Sequence, residues 1–288
     1  MYTFSPSGML ANITNDTYDY SKYSKLDPTF VSRYLIQASI IQRYAEIIKK
    51  DKLKVLDVGG AGSMLAEFLD IDLTIIDIIP NEETTANYVV GSALDMPFED
   101  NEFDVVLSCD VLEHIKKEDR EVFIKECARV SKDLLVIAAP FNLTGVRMAE
   151  ISANNFYRSF TGKNHIWLEE HLKDELPELY QTKKYLKKLN LDYGYFSHTS
   201  LNYWQLVTRM GFLLAYEDKH PKFVEAIKSI NEFYLDKIMI NDFSLTGYRS
   251  FVIASKKSKI QVAKEPDIYD PDIEKMFTLI TDTLPSII

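Results

Sequence analysis

The sequence predicts an α/β fold in which a doubly wound, mostly parallel sheet is covered by helices on both faces. Three observations lead to this prediction. Short apolar runs alternate with helical patterns over residues 51–140, a long helical pattern precedes them, and a polar, aromatic segment follows them. Strands that alternate with helices form parallel sheets, and right-handed crossovers then make the fold doubly wound.

Residues 1–50 are expected to form an N-terminal arm and one helix. The first 30 or so residues are polar and rich in Tyr, Ser, Asn and Asp, which predicts an irregular arm. Asp27-Pro28 then opens a run of apolar residues at helical spacing. The run ends at Lys49 and Lys50, whose charges suit the negative pole of a helix C-terminus.

The central region, residues 51–140, is predicted to hold five strands. Its helices are expected to start near Met64 and to span Ile115 to Val130. The predicted strands are Leu53–Val58, Leu73–Ile76, Tyr88–Val90, Phe103–Cys109 and Leu134–Ala139.

Beyond the fifth strand the pattern breaks. Residues 141–205 are too long for an ordinary loop, so they are predicted to form a helical insertion. Residues 206–256 are expected to complete the sheet through strands at Gly211–Tyr216 and Arg249–Ser255. Residues 257–288 are interpreted as a C-terminal tail.

Composition narrows the function classes. The formal net charge of −10 disfavours sequence-independent binding to nucleic acid. A single lysine-rich run, at Lys183, Lys184, Lys187 and Lys188, is interpreted as a solvated helix face. The chain shows neither a secretory signal at its N-terminus nor an apolar run near the ~20 residues of a membrane span. With two cysteines and no disulfide framework, a cytoplasmic location is expected.

The segment Val55-Leu56-Asp57-Val58-Gly59-Gly60-Ala61-Gly62-Ser63 is the most informative part of the chain. A buried strand runs into a turn of small residues and then into a helix, so the backbone can approach a ligand closely. Ligands of open α/β sheets bind at such carboxyl ends of strands. A tight turn without a ligand is the alternative. Leu65 occupies the third position of the dinucleotide pattern G-x-G-x-x-G/A, which argues against a nicotinamide cofactor.

Three further segments follow in order. Asp77 ends the second strand, where an acid can accept hydrogen bonds from ribose hydroxyls. Gly91-Ser92-Ala93-Leu94-Asp95-Met96-Pro97-Phe98 follows the third strand, and Asp110-Val111-Leu112-Glu113-His114 follows the fourth. Together with the glycine segment, these motifs resemble the class I S-adenosylmethionine-dependent methyltransferases of the small-molecule and glycan-directed type, which have Rossmann-like folds.

The resemblance implies S-adenosylmethionine as the cofactor. Ala61 and Ser63 depart from the family pattern, because they replace two positions that are commonly glycine. The resemblance implies eight cofactor-binding residues: Gly59, Gly60, Ala61 and Cys109 near the methionine part, Asp77 at the ribose, and Ile78, Asp95 and Met96 around the adenine.

The acceptor side is less defined. His114 follows the fourth strand, and its near-neutral reference pKa suits a catalytic residue that removes a hydroxyl proton. Capping of the next helix is the alternative for His114. The segment Ser108-Cys109-Asp110-Val111 lacks the N/D-P-P-Y/F motif of many amino-group methyltransferases. These observations favour O-methylation of a small molecule or glycan.

The aromatic insertion is expected to hold a lid and acceptor pocket, or to be a plain helical cap. His165 and His171 lie six residues apart without metal-ligand spacing, so no metal site is expected. Tyr18, Tyr20 and Tyr23 belong to an arm that could close over the cofactor. Arg33 could pair with the cofactor's carboxylate or lie on the surface of an amphipathic helix.

Two other functions stay open at this point. The first is a non-catalytic S-adenosylmethionine-binding protein that acts through a partner, since the glycine loop is altered and the tail is apolar. The second is a nucleotide-sugar or nicotinamide enzyme, against which Leu65 argues. The oligomeric state does not follow from the sequence.

Overall fold

In the computed structural model of the chain, the described residues are 1–14, 19–81, 84, 86–214, 221–243 and 247–265. The strands are β1 (Tyr2–Phe4), β2 (Lys54–Val58), β3 (Asp72–Asp77), β4 (Asn87–Val90), β5 (Phe103–Cys109), β6 (Ser131–Ala139), β7 (Asp192–Ser200), β8 (Gly247–Ser255) and β9 (Ile260–Val262). The α-helices are α1 (Pro6–Ile13), α2 (Pro28–Ile48), α3 (Leu65–Phe68), α4 (Arg120–Val130), α5 (Val146–Thr161), α6 (Ile166–Asp174), α7 (Leu179–Lys188), α8 (Leu201–Leu214) and α9 (Pro221–Phe233).

Seven of the described strands form one sheet in the order β4-β3-β2-β5-β6-β8-β7. The five strands β2 to β6 run parallel, while β8 runs antiparallel to both of its neighbours. Every residue of β5 is buried, as expected for a central strand covered by helices on both faces. The strand order changes direction between β2 and β5, so a crevice opens at their carboxyl ends. The predicted doubly wound, mostly parallel fold is confirmed, including the helical insertion after the fifth strand of the predicted core.

The N-terminal helix is also confirmed, and it positions a site residue. The Oδ1 atom of Asp27 accepts a hydrogen bond from the Thr29 backbone N–H at 2.8 Å, and Pro28 opens α2. The helix ends at Ile48, and Lys49 follows with a φ of 54°. This long helix packs against the sheet and carries Arg33 toward the crevice.

The irregular N-terminal arm was a wrong prediction. Residues 2–4 form β1, which pairs in parallel with β9, and α1 follows directly. The Tyr2 hydroxyl donates a hydrogen bond to the buried Asp133 carboxylate at 2.8 Å, as does the Tyr44 hydroxyl. The regular structure of the N-terminal residues depends on β9 and on Asp133, which are both far away in the sequence.

The strand expected at Gly211–Tyr216 was also wrong. Residues 211–214 belong to α8, while residues 215 and 216 lie outside the described part of the chain. The buried side chains of α8 recur at helical spacing, at Tyr203, Trp204, Val207 and Met210. The apolar run that resembles a strand therefore continues a helix.

The predicted strand Arg249–Ser255 lies within β8, and β7, from residues 141–205, adds an edge strand that was not predicted. As the edge strand it leaves Tyr195 exposed while Phe196 is buried, so its sequence is polar and aromatic rather than continuously apolar. The lysine-rich run lies on α7, where Lys188 pairs with Glu121 at 2.6 Å and Lys183 lies over the Tyr195 ring. Within the described ranges, each helix is too short or too polar to cross a bilayer.

Candidate active site

The loop after β2 fits only very small residues at two positions. Gly59 has a φ of 77°, and a Cβ atom there would lie 2.2 Å from Cγ2 of Val111. A Cβ atom on Gly60 would lie 2.5 Å from the carboxylate of Asp57. The loop is therefore held tightly between the end of β2 and the segment that follows β5.

Asp77 ties this loop to the end of β3. Its Oδ2 atom accepts a hydrogen bond from the Ala61 backbone N–H at 3.1 Å, and its Oδ1 atom accepts one from Ile79 N–H at 2.9 Å. The Asn81 amide donates to the Ala61 carbonyl at 2.6 Å. Beside Asp77, Ile78 is 74% exposed, which leaves an apolar side chain accessible next to the end of β3.

The other predicted cofactor residues have contrasting environments. Asp95 is exposed, in the loop after β4. Met96 is 3% exposed and packs into the core below that loop, which leaves little of its side chain for a ligand. Cys109 ends β5 and is buried, and burial raises the pKa of its thiol well above the ordinary value. The cofactor roles of these residues stay predictions.

Two buried polar atoms at this edge lack a hydrogen-bond partner among the described residues. One is Oδ2 of Asp57, whose side chain belongs to the first motif, and the other is Nε of Arg33. Burial raises the pKa of Asp57 to about 6, although the Ser63 hydroxyl and the Arg33 charge act in the opposite direction. A carboxylate and a guanidinium group therefore both retain unused hydrogen-bonding capacity here.

The first buried charged group is the arginine–aspartate cluster, which we define as Arg33, Asp110 and Arg249. Arg249 binds both carboxylate oxygens of Asp110, with Nε 2.6 Å from Oδ1, and Arg33 Nη1 contacts Oδ2 at 2.5 Å. The two guanidinium groups hold the pKa of Asp110 well below its usual range, against the effect of burial. With two cations on one anion, the cluster has a net positive charge.

Arg33 is therefore bound to Asp110. The sequence had suggested either a pair with the cofactor's carboxylate or a position on the surface. Its side chain is 17% exposed, so the surface interpretation is wrong. It also lies against the rings of Phe30 and Tyr34. Of the predicted arm tyrosines, Tyr20 and Tyr23 are buried in the core, and Tyr18 lies outside the described residues.

The second group is the glutamate–histidine cluster, which we define as Glu113, His114, Glu150, Glu170 and His171. A 3-10 turn, Leu112–His114, follows β5 and supplies two of these residues, α6 supplies two more, and α5 supplies Glu150. His171 Nδ1 lies 2.8 Å from Glu150 Oε1, which also accepts a hydrogen bond from the Tyr248 hydroxyl at 2.9 Å. His114 Nδ1 lies 3.2 Å from Glu170 Oε2.

Burial and neighbouring charges shift the pKa values in this cluster. Burial and the Asp110 charge raise the pKa of Glu113 to about 8. Burial lowers the pKa of His114, whereas Glu150 raises that of His171 against the effect of burial. The Oε2 atoms of Glu113 and Glu150 and the Nε2 atom of His171 have no hydrogen-bond partner among the described residues.

At this edge His114 was predicted as a site residue from the sequence, whereas Asp110 was named only as part of a motif, and Glu150 and Arg249 were not predicted. Ser250 of β8 pairs with Ala139, the last residue of β6, so Arg249 reaches the edge where the parallel strands end. A charged residue at the start of an otherwise apolar predicted strand was the one available signal for Arg249. Glu150 gives no such signal, because it lies within an amphipathic helix.

The aromatic side chains of the insertion pack mainly on one another. The rings of Tyr157, His165 and Phe212 are in mutual contact, and Trp204 stacks on Tyr248 at a centroid distance of 3.9 Å. Ile166 and Trp167 are exposed on the outer surface. Part of the insertion therefore forms a packed helical cap beside the glutamate–histidine cluster, and its role as an acceptor lid stays a prediction.

Part of the chain matches a known protein family. A family described as a methyltransferase domain matches residues 56–134, which run from β2 into β6 and include the loop, Asp77 and the segment after β5. Residues 56–134 are therefore similar to a methyltransferase domain. The match supports the class I S-adenosylmethionine-dependent methyltransferases that the motifs resemble.

Individual relatives are more distant. The chain is 33% identical over 116 residues to ajmaline N-methyltransferase of Rauvolfia serpentina, covering 34% of this chain and 39% of that protein. The alignment thus spans about two fifths of the length of that curated relative.

Two solved structures show a distant likeness to the chain. A SAM-dependent methyltransferase from Archaeoglobus fulgidus is 18% identical, with a TM-score of 0.45 over 77% of this chain and 94% of that chain. Phosphoethanolamine N-methyltransferase 2 of Haemonchus contortus is also 18% identical, with a TM-score of 0.43 over 73% and 49%. At these scores the likeness is too distant to carry a functional conclusion.

The charged groups at this edge of the sheet complement those of S-adenosylmethionine. The methionine end of that cofactor has an ammonium and a carboxylate group. The unpartnered oxygen of Asp57 suits the former, and the net positive arginine–aspartate cluster, with the free Nε of Arg33, suits the latter. The narrow glycine turn lies against Asp57. The residues present therefore fit this cofactor.

Proposed function

We propose that the chain is a methyltransferase that binds S-adenosylmethionine and methylates a hydroxyl oxygen of a small molecule or glycan. One observation supports the cofactor most directly: Asp77 and the glycine loop are joined by a hydrogen bond at the strand-order reversal, within the matched domain. When bound, S-adenosylmethionine supplies a methyl group on a positively charged sulfur, from which an acceptor oxygen takes it as the sulfur–carbon bond breaks.

The residues of this chain would bind and align the reactants. Gly59, Gly60 and Ala61 would line the methionine part, and Asp77 would accept hydrogen bonds from the ribose hydroxyls. Ile78 offers an exposed apolar surface for the adenine, with Asp95 nearby in the following loop. Because methyl transfer needs the oxygen, carbon and sulfur in line, this alignment is the main contribution of the protein.

Oxygen is favoured over nitrogen by the segment after β5. That segment lacks the N/D-P-P-Y/F motif, and its Asp110 carboxylate is fully engaged by two arginines. His114 follows on the same side and stays the predicted catalytic residue. The curated relative is an N-methyltransferase by name, and it supports a small-molecule acceptor rather than a particular atom.

The first experiment is a calorimetric titration with S-adenosylmethionine, S-adenosylhomocysteine and NAD. We expect the first two to bind, and Asp77→Ala to weaken them roughly tenfold to a hundredfold, as for lost hydrogen bonds to a charged group. Asp72→Ala is the matched control, because Asp72 is an exposed acid at the opposite end of β3. Preference for NAD, or an equal loss in both variants, would contradict the cofactor assignment.

The acceptor is then tested with labelled S-adenosylmethionine and two panels of small molecules, one of alcohols and sugars and one of amines. Label transfer to hydroxyl compounds, reduced in His114→Ala, is the expected result. Transfer confined to amines would refute the oxygen assignment and leave the methyltransferase intact. Tight cofactor binding without transfer to either panel would favour a non-catalytic protein that acts through a partner.

A further inference from the structure

We propose that Glu113, His114 and His171 bind one divalent transition-metal ion, of the class to which zinc belongs. The three side chains come from two elements that are separate in sequence, the turn after β5 and helix α6. Each offers one ligand atom, and the three atoms lie within 4.8 Å of one another. Two imidazoles and a carboxylate form a donor set typical of catalytic zinc sites that keep one position open.

Unused ligand atoms support this assignment. Glu113 is 1% exposed and His171 is 6% exposed, yet Oε2 of the first and Nε2 of the second have no hydrogen-bond partner in the described part of the chain. Buried polar atoms are normally satisfied, so an unsatisfied atom on each of two residues of one potential metal-binding group supports a bound ligand. Both are also atoms that bind metal ions well.

The surroundings of His171 are those of a metal-binding histidine. Its Nδ1 atom is held by Glu150, and Glu150 is fixed in turn by the Tyr248 hydroxyl. A carboxylate on the distal ring nitrogen orients the imidazole and makes the other nitrogen a better ligand. Stacking of Tyr248 on Trp204 and the packing of α5 against α6 and α8 keep this support rigid.

The lack of arginine or lysine partners for the carboxylates of the cluster, among the described residues, also favours a bound cation. Glu113, Glu150 and Glu170 form no ion pair with an arginine or lysine among the described residues, although all three approach the same two histidines. The nearby arginines are engaged elsewhere: Arg249 binds Asp110, and Arg120 donates to the carbonyls of Ile115 and Glu175. A divalent cation would supply the positive charge that this cluster lacks.

The geometry needs only a local adjustment. Ligand atoms on one tetrahedral zinc ion, each at about 2.0–2.2 Å from it, lie about 3.3–3.6 Å apart. His114 is on the exposed side of the cluster, with a side chain 32% exposed, so its ring has room to move toward the two buried ligands. The same exposure leaves the open position of the ion facing solvent on the acceptor side of the domain.

The location of the proposed metal ion suggests a role in activating the acceptor hydroxyl, and this role rests on the proposed function. An acceptor hydroxyl bound to the ion would have a lowered pKa and would lose its proton to water, leaving the oxygen to form the bond to the methyl carbon. His114 would then act as a ligand and not as the proton acceptor. The metal site itself does not depend on this step.

The test is a titration of the metal-stripped full chain with Zn²⁺ in competition with a chromophoric chelator, followed by the visible spectrum with Co²⁺. We expect one ion per chain, a cobalt spectrum typical of nitrogen and oxygen ligands, and a rise in melting temperature with Zn²⁺. Glu113→Gln and His171→Gln should each weaken binding at least tenfold to a hundredfold. Glu150→Gln should weaken it about tenfold, as for residues that support a ligand.

Matched controls separate this site from surface binding. Glu169→Gln and His165→Gln change an acid and a histidine in or beside α6 that are not part of the cluster, and they should leave Zn²⁺ affinity unchanged. Circular dichroism without metal checks that each variant folds. Absence of binding by the wild type, or equal binding by the cluster variants, overturns the proposal. Metal binding without methyl transfer would overturn only the proposed function.

Discussion

The two buried charged clusters lie at the same edge of the sheet, and they differ in how their charges are satisfied. In the arginine–aspartate cluster, one carboxylate is bound by two guanidinium groups. In the glutamate–histidine cluster, the ion-pair contacts of the carboxylates are to histidines alone among the described residues, and buried oxygen and nitrogen atoms are left without hydrogen bonds there.

The two clusters therefore differ in how firmly they join elements of the fold and in how many ligand atoms they leave unsatisfied. Asp110 joins α2, the end of β5 and the start of β8, so its cluster connects the three elements around the crevice. The glutamate–histidine cluster begins three residues later in the sequence and has unsatisfied ligand atoms. Removing the single carboxylate that two guanidinium groups share should be costly, whereas a cluster with several carboxylates should tolerate the loss of one charge.

The largest effect is expected for Asp110→Asn. Removing this charge leaves two buried guanidinium groups without an anion, which should lower the free energy of unfolding by about 3–5 kcal/mol. Urea unfolding of the variant and the wild type measures the difference. Asp100→Asn is the control, because Asp100 is an exposed partner of Arg129 whose pair should contribute under about 1 kcal/mol. Equal losses in the two variants would mean that the cluster contributes no special stability.

A second effect concerns pH and Asp57. Arg33, Tyr34, Asp77 and the Ser63 hydroxyl face this carboxyl group, whose pKa is raised to about 6 mainly by burial. The protonated form is favoured in the folded state. The stability that protonated Asp57 gives to the folded state is therefore fully present below the ordinary pKa near 3.8, and it is lost as the pH rises through about 6. Two pKa units correspond to about 3 kcal/mol.

Unfolding free energies of the wild type and Asp57→Asn between pH 4 and pH 7 isolate this contribution. The variant should lack the decline that Asp57 causes, so its stability relative to the wild type should increase with pH. Affinity for S-adenosylmethionine should change in the opposite sense in the wild type, rising as Asp57 ionises and can bind an ammonium group. Parallel pH profiles for the two proteins would show that Asp57 does not titrate in this range.

The smallest effect is expected for Glu113→Gln in the presence of a chelator. Because Oε2 of Glu113 has no hydrogen-bond partner, a neutral side chain of the same shape should change the free energy of unfolding by less than about 1 kcal/mol. The measurement is the same urea titration as for Asp110→Asn. A loss as large as the one expected there would mean that Glu113 is paired in solution and that the two clusters are alike.

The cofactor half of the sheet could be predicted closely from the sequence. Strand β5 matches its predicted bounds, and β2, β3, β4 and β6 differ by one to three residues at an end. The glycine turn lies directly after β2, Asp77 is the last residue of β3, and Asp95 lies in the loop after β4. These features depend on local periodicity and on the small size of the turn residues, which a short stretch of sequence contains.

Elements stabilised by distant partners could not be predicted in the same way. Strand β1 needs β9 as its partner, and the polar edge strand β7 needs β8. Gly211 to Leu214 has the composition of a strand, but the register of α8 makes it the end of a helix. In each case the tertiary environment outweighs local propensity.

By itself, the sequence determined the doubly wound fold and the glycine loop, because motif order and spacing carry that information, and its resemblance to a known family led to the proposed cofactor. Only the tertiary structure decided which charged groups meet at the crevice. Arg33 and Asp110 are 77 residues apart, and Asp110 and Arg249 are 139 apart. His171 reaches Glu113 because α6 packs beside the turn after β5. Side chains on separate elements meet only when the helices and the sheet pack together, and spacing along the chain does not record that contact.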